Sequence, residues 1–140
     1  MKIHSRLAAT GATLALTAAT LAVTAGPAQA AAYNGACGAG YRVIDQMKVG
    51  GTVEGTGTSY LTYNNGWNCV VTVTNTPGTR DWMTAQVEKS GDGNDWVEDE
   101  GYYTQYAGPV YVYAAGSCVD WGGSVDYKGM VWLQWDEHCG

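Results

Sequence analysis

From residue 41 onward, apolar and polar side chains alternate in short runs, each broken by glycine, asparagine or proline. A period of two places successive side chains on opposite faces of an extended strand, whereas a helix would repeat every three to four residues. The runs Tyr41–Lys48 and Ser59–Tyr63 read as strands, the second with Leu61 and Tyr63 on one face. Asn64-Asn65-Gly66-Trp67 supplies a turn, because Asn and Gly tolerate positive φ. Asn68–Thr74 returns with Cys69, Val71 and Val73 on one side and Thr72 and Thr74 on the other, the clearest hairpin in the chain. After Asn75-Thr76-Pro77-Gly78, Asp81–Lys89 alternates cleanly: Met83, Ala85 and Val87 against Thr84, Gln86 and Glu88. That pattern predicts one dry face and one wet one. Trp96-Val97 predicts a short strand ahead of an acidic turn, Glu98-Asp99-Glu100-Gly101. Tyr102–Tyr106, Val110–Ala114 and Ser117–Trp121 follow, cut by Gly-Pro and Ala-Gly. Met130–Trp135 is apolar on both faces and is expected to lie centrally in its sheet. Some eight short antiparallel strands joined by glycine turns predict an all-β fold, a small antiparallel β-sandwich or barrel.

The amino terminus does not share this pattern. Lys2 and Arg6 precede a stretch over 7–25 rich in Ala, Leu, Thr and Val, and Ala28-Gln29-Ala30 closes it. A charged start, an apolar middle and small residues at an A-x-A site are the marks of a secretory signal peptide, with cleavage expected after Ala30. Residues 31–140 then form one expected β-domain. They hold five basic residues against thirteen acidic ones, a formal balance of −8 (five minus thirteen). No Lys/Arg cluster is present to displace counterions from phosphate, so no nucleic acid is expected as a partner. The same acidity disfavours anionic membrane surfaces, so no membrane association is expected once the signal is removed.

Cys37, Cys69, Cys118 and Cys139 remain, an even number in a small exported chain, which reads as two disulfides. A C-x-x-C spacing is absent and His138 is the single histidine after residue 30, so no metal and no cofactor are expected. Three pairings are open. Cys37–Cys69 with Cys118–Cys139, each stapling one end of the chain, is the expected one, and each loop so closed contributes roughly 3–4 kcal/mol on the chain-entropy account.

Six Trp, ten Tyr and no Phe raise the central question: packing or ligand platform. In YAGPVYVYA at 106–114, Tyr111 and Tyr113 share a strand face, and cross-strand packing is the favoured reading. Trp67, Trp82 and Trp96 adjoin turns and are the better candidates for a possible ligand platform. Asp92, Asn94 and Asp95 begin like a calcium loop. The sixth position is Val97 and the twelfth Tyr103, however, so a solvated acidic turn is expected. For catalysis, His138 beside Cys139, or carboxylates from Asp120, Asp136 and Glu137, are the only candidates, and nothing in the sequence makes them converge. A non-enzymatic protein with no catalytic residues is expected.

CGAGYRVID at 37–45, NCVVTV at 68–73, YAGPVYVYA at 106–114, CVDWGG at 118–123 and the terminal CG together resemble the spore-associated protein A family of streptomycetes and related actinobacteria. The resemblance runs through 31–140. It implies a small exported protein found with the spore surface or released to the medium, and it carries over no catalytic residue or cofactor. The functional expectation is a secreted, extracellular protein at the spore or cell surface, with surface and cell-wall components as partners. Two alternatives stand beside it. One is a carbohydrate-binding module for cell-wall polysaccharide using Trp67, Trp82 and Trp96. The other is a small inhibitor of extracellular hydrolases presenting the turns at 64–67 or 90–96, where two disulfides would preorganise the loop.

Overall fold

The structure is a computed structural model that describes residues 32–51 and 55–140. The expected signal peptide and its cleavage site lie outside the described residues. The described chain contains eight strands and no helix: β1 Arg42–Val49, β2 Gly57–Asn64, β3 Trp67–Thr74, β4 Asp81–Lys89, β5 Val97–Tyr103, β6 Tyr106–Tyr113, β7 Val119–Val125 and β8 Trp132–Glu137. They form two four-stranded antiparallel sheets, ordered β1-β2-β3-β6 and β5-β4-β7-β8. The all-β expectation holds, and both expected disulfides, Cys37–Cys69 and Cys118–Cys139, are formed.

The hairpin of β2 and β3 turns on Asn65 and Gly66, whose φ of 47° and 88° are both positive, as a two-residue turn between right-twisted strands requires. Between the sheets lie Leu61, Val70, Met83, Ala85, Val87, Val110, Val119, Trp121 and Val125. The sheets come close at Gly123, where an added Cβ would stand 2.0 Å from Thr72 Oγ1 and 2.4 Å from Ser59 Oγ. Those two hydroxyls bond each other at 2.7 Å, so the buried polar pair satisfies itself. At the β5/β6 edge, Asp99 accepts hydrogen bonds from Gly108 N–H and Tyr103 O–H, both at 2.6 Å, and so ties one sheet to the other.

A second apolar cluster lies outside the sandwich. The outer face of the first sheet presents Tyr60, Cys69, Val71 and Val73, and the segment 33–41 packs over it with Tyr33, Ala36, Cys37 and Tyr41. Cys37–Cys69 bolts the segment down, and Tyr111 O–H donates to the Cys37 carbonyl at 3.1 Å.

Four expectations need correction. The last strand, β8, is an edge strand and not a central one; its apolar rings instead meet Tyr127 and Trp96 from neighbouring loops. The supposed wet face of β4 is buried: Thr84, Gln86 and Glu88 are 2%, 7% and 4% exposed. β4 is a central strand flanked by β5 and β7, and the backbone amides of Asn94 and Asp95 in the loop after it reach Glu88. Glu98–Gly101 is not a turn but the middle of β5, whose charges mark it as an edge. Gly108-Pro109 does not end a strand either; it sits inside β6 at a register shift, on an edge strand where proline removes no ladder bond.

Candidate functional site

Two regions of the molecule offer exposed chemistry. The first is the outer face of the sheet β5-β4-β7-β8. Strand alternation turns Met83, Ala85 and Val87 inward to the core, so Trp82, Thr84, Gln86 and Glu88 face outward. The register places Tyr102, Glu100 and Glu98 beside them on β5, and Ser124, Gly122 and Asp120 on β7. Trp82 meets Tyr102 edge to face, with ring centroids 5.1 Å apart. Lys128 Nζ lies 4.6 Å from the Trp82 centroid, and the Arg80 guanidinium 4.7 Å from that of Tyr102. The result is a row of alternating cations and rings, each cation held by a ring quadrupole. At the far end of β4, Trp96 meets Trp135 edge to face at 5.8 Å, and Trp135 is 57% exposed.

The three candidate tryptophans do not form one platform. Trp82 and Trp96 belong to the second sheet's side, at opposite ends of β4, and Tyr102 and Trp135 accompany them. Trp67 lies on β3 in the other sheet, 45% exposed and edge to face with Tyr113 at 5.5 Å. Tyr102 and Trp135, the missing partners, gave no local signal; only the pairing of β4 with β5 and the return of β8 bring them in. The rings at 106–114 divide. Tyr111 packs against Tyr41 at 5.7 Å in the second cluster, while Tyr113 stays exposed.

Two acids close the Trp96 end. Glu88 and Asp120 face each other across β4 and β7, both 4% exposed. Asp120 Oδ1 accepts from Ser90 O–H at 2.6 Å and from Asp136 N–H at 2.7 Å, so it anchors the loop after β4 and the bulge in β8. Glu88 Oε2 is buried without a hydrogen-bond partner. Burial first, and then the charge of Asp120, pushes the Glu88 carboxyl above the usual glutamate range, while the amides of Asn94 and Asp95 pull it partly back. At the other end of β4, burial and then Asp126 raise the Asp81 carboxyl in the same sense.

The second region is a cleft of about 590 Å3 between the sheets, at the end that carries the Asn65-Gly66 turn. Arg42, Ile44, Tyr63, Asn68, Ala114 and His138 line it. The Arg42 guanidinium lies over the Tyr63 ring, 5.3 Å from its centroid. At its rim His138 Nε2 stands 3.0 Å from Asp45 Oδ2. Glu137 joins them: one donor atom from each of Asp45, Glu137 and His138 falls within 4.8 Å of the others. Of the residues considered for catalysis, Glu137 and His138 therefore come together, with Asp45 as an unforeseen third, while Asp120 and Asp136 are engaged with each other. Both turns considered as inhibitor loops, 64–67 and 90–96, project at this same end of the sandwich.

Spore-associated protein A of Streptomyces coelicolor is 53% identical to this chain over 97 residues, covering 68% of the chain and 60% of that protein. The chain belongs to the spore-associated protein A family. It spans about 60% of the length of that relative. The sequence matches no established family model, and no solved structure matches it.

Proposed function

We propose that this chain is a secreted, non-enzymatic protein held at the spore or cell surface. The observation that carries the reading is the 53% identity to a protein named for its association with spores. Two disulfides, a core on each side of the first sheet and short turns suit a molecule that must persist outside the cell. The test is recovery of the intact protein from washed spores or hyphae. Protein found solely in the medium, with no affinity for either, overturns it.

A second reading gives that association a ligand: a neutral cell-wall polysaccharide lying along the outer face of β5-β4-β7-β8. Trp82 and Tyr102 stand at one end of β4, and Trp96 and Trp135 at the other. The six residue steps from Trp82 to Glu88 span about 20 Å, a length suited to an extended chain. Glu98 and Glu100, exposed on β5, supply polar groups between the rings. Retention on chitin, peptidoglycan or glucan that disappears in a Trp96→Ala, Trp135→Ala double variant supports this reading. Retention indifferent to both substitutions removes the platform.

A further inference from the structure

The trio at the rim of the inter-sheet cleft is more than an ion pair. His138 and Asp45 alone would make one, at 3.0 Å. Glu137 brings a second carboxylate into the same space, so two like charges converge on one imidazole. Arg42, the cation lining the adjoining cleft, lies over the Tyr63 ring. A divalent ion bound by all three groups would resolve the repulsion.

The backbone holds these donors in place before any ion arrives. Register shifts in β1 at Val43/Asp45 and between β7 and β8 at Val119/Trp121 set the strand ends. The β8 bulge is fixed by Asp120 accepting the Asp136 N–H, and beyond it Glu137 is held in register with Val119 of β7. One residue beyond His138, the Cys118–Cys139 bond anchors the chain again. Glu137 and His138 are thus clamped on both sides, and a clamped donor set is the requirement for a defined metal geometry.

We propose that Asp45, Glu137 and His138 form a binding site for a divalent transition ion of the zinc class, whose open coordination position faces the inter-sheet cleft. One imidazole nitrogen with two carboxylate oxygens suits zinc, and three protein ligands with one free position is its usual open arrangement. Bonds of about 2.0–2.1 Å in a tetrahedron set the donors about 3.4 Å apart, so a trio already within 4.8 Å has to draw in to that spacing around the ion. Calcium requires six to eight oxygens and finds too few here. The ion would also join β1 to β8, the edge strands of the two sheets.

Calorimetric titration of the untagged, disulfide-bonded chain with zinc chloride tests this. Saturable one-to-one binding is expected, with calcium and magnesium failing to compete. His138→Gln and Glu137→Gln are each expected to weaken binding by about tenfold or more, with Asp45→Asn doing the same from a different strand. Zinc should raise the wild-type melting temperature and leave that of the variants unmoved, a readout that needs only the wild type if a variant folds poorly. Absence of saturable zinc binding, or binding that survives all three substitutions, overturns the site. Competition by calcium at equal concentration overturns the assignment to the zinc class.

Discussion

The outer faces of the two sheets carry similar aromatic chemistry and use it differently. On β1-β2-β3-β6, Tyr60 and Tyr111 lie beneath the segment 33–41 and form a second core with Cys69, Val71 and Val73. On β5-β4-β7-β8, Trp82, Tyr102, Trp96 and Trp135 meet in edge-to-face pairs, and two of these rings carry a cation. The rings themselves do not decide which face becomes core. A cross-linked segment does: Cys37–Cys69 holds a stretch of chain over one face, while the other is bordered by the loop 90–96 and by exposed charge. Burial of apolar area on the first face stabilises the fold; exposed area on the second contributes little and stays available to a partner.

The strongest way to break this comparison is to cut the staple. Replacing Cys37 and Cys69 together by serine is expected to cost about 3–4 kcal/mol from the closed loop alone. It should also release residues 33–41 and expose Tyr60 and Val71. Urea denaturation measures the first effect, and binding of an apolar dye measures the second. A double variant with unchanged midpoint and no dye binding would mean that the segment stays down without its bond. A gentler cut is Tyr111→Phe, which removes the bond to the Cys37 carbonyl and keeps the ring. About 1 kcal/mol is expected, read from the same denaturation midpoint.

The sequence made one of the two faces easier to read than the other. Period-two alternation and Asn-Gly disclosed the β2–β3 hairpin, and four cysteines in an exported pattern disclosed the staples, because each signal is local or countable. The pattern of β4 was equally clear, yet it was read as half wet. Alternation states only that Thr84, Gln86 and Glu88 share a face; what closes over that face comes from β5, β7 and a loop. β8 misled for the opposite reason. Apolar residues on both sides suggested a central strand, but Trp135 spends its ring on Trp96 at the surface. The cleft trio was beyond reach, since Asp45 and His138 are 93 residues apart and only the stacking of two edge strands joins them.

Between pH 4 and 7 two raised carboxyls on β4 should make stability fall as pH rises. The Glu88 and Asp81 carboxyls are both raised above their ordinary values. The folded chain therefore holds these protons more tightly than the unfolded chain. Their contribution is full below the ordinary carboxylate range, falls as pH rises through that range toward the raised folded values, and is gone above them. Glu88→Gln is expected to flatten part of this fall and leave the share due to Asp81. Denaturation midpoints collected from pH 4 to 7 measure it, and a variant with the wild-type slope would show that Glu88 pays no penalty for its burial. At the alkaline end Tyr103, pushed up to about 12 chiefly by its hydrogen bond to Asp99, should lose stability only as pH rises past the ordinary tyrosine value.

The smallest effect on stability is the most informative about function. Trp135 is 57% exposed, so Trp135→Ala removes area that folding leaves largely in water. A loss within about 0.5 kcal/mol is expected, as for surface positions generally. Stacking on a sugar ring, by contrast, uses the exposed ring itself, so retention on polysaccharide should fall sharply in the same variant. Trp67→Ala is the control, because that ring is also exposed but belongs to the other sheet. Its removal should change neither quantity appreciably. If Trp135→Ala destabilised the chain as strongly as cutting the Cys37–Cys69 staple, the second face would be core after all, and the contrast between the two sheets would vanish. If it left both stability and retention untouched, the rings of the second face would be neither core nor platform, and surface association would have to reside elsewhere.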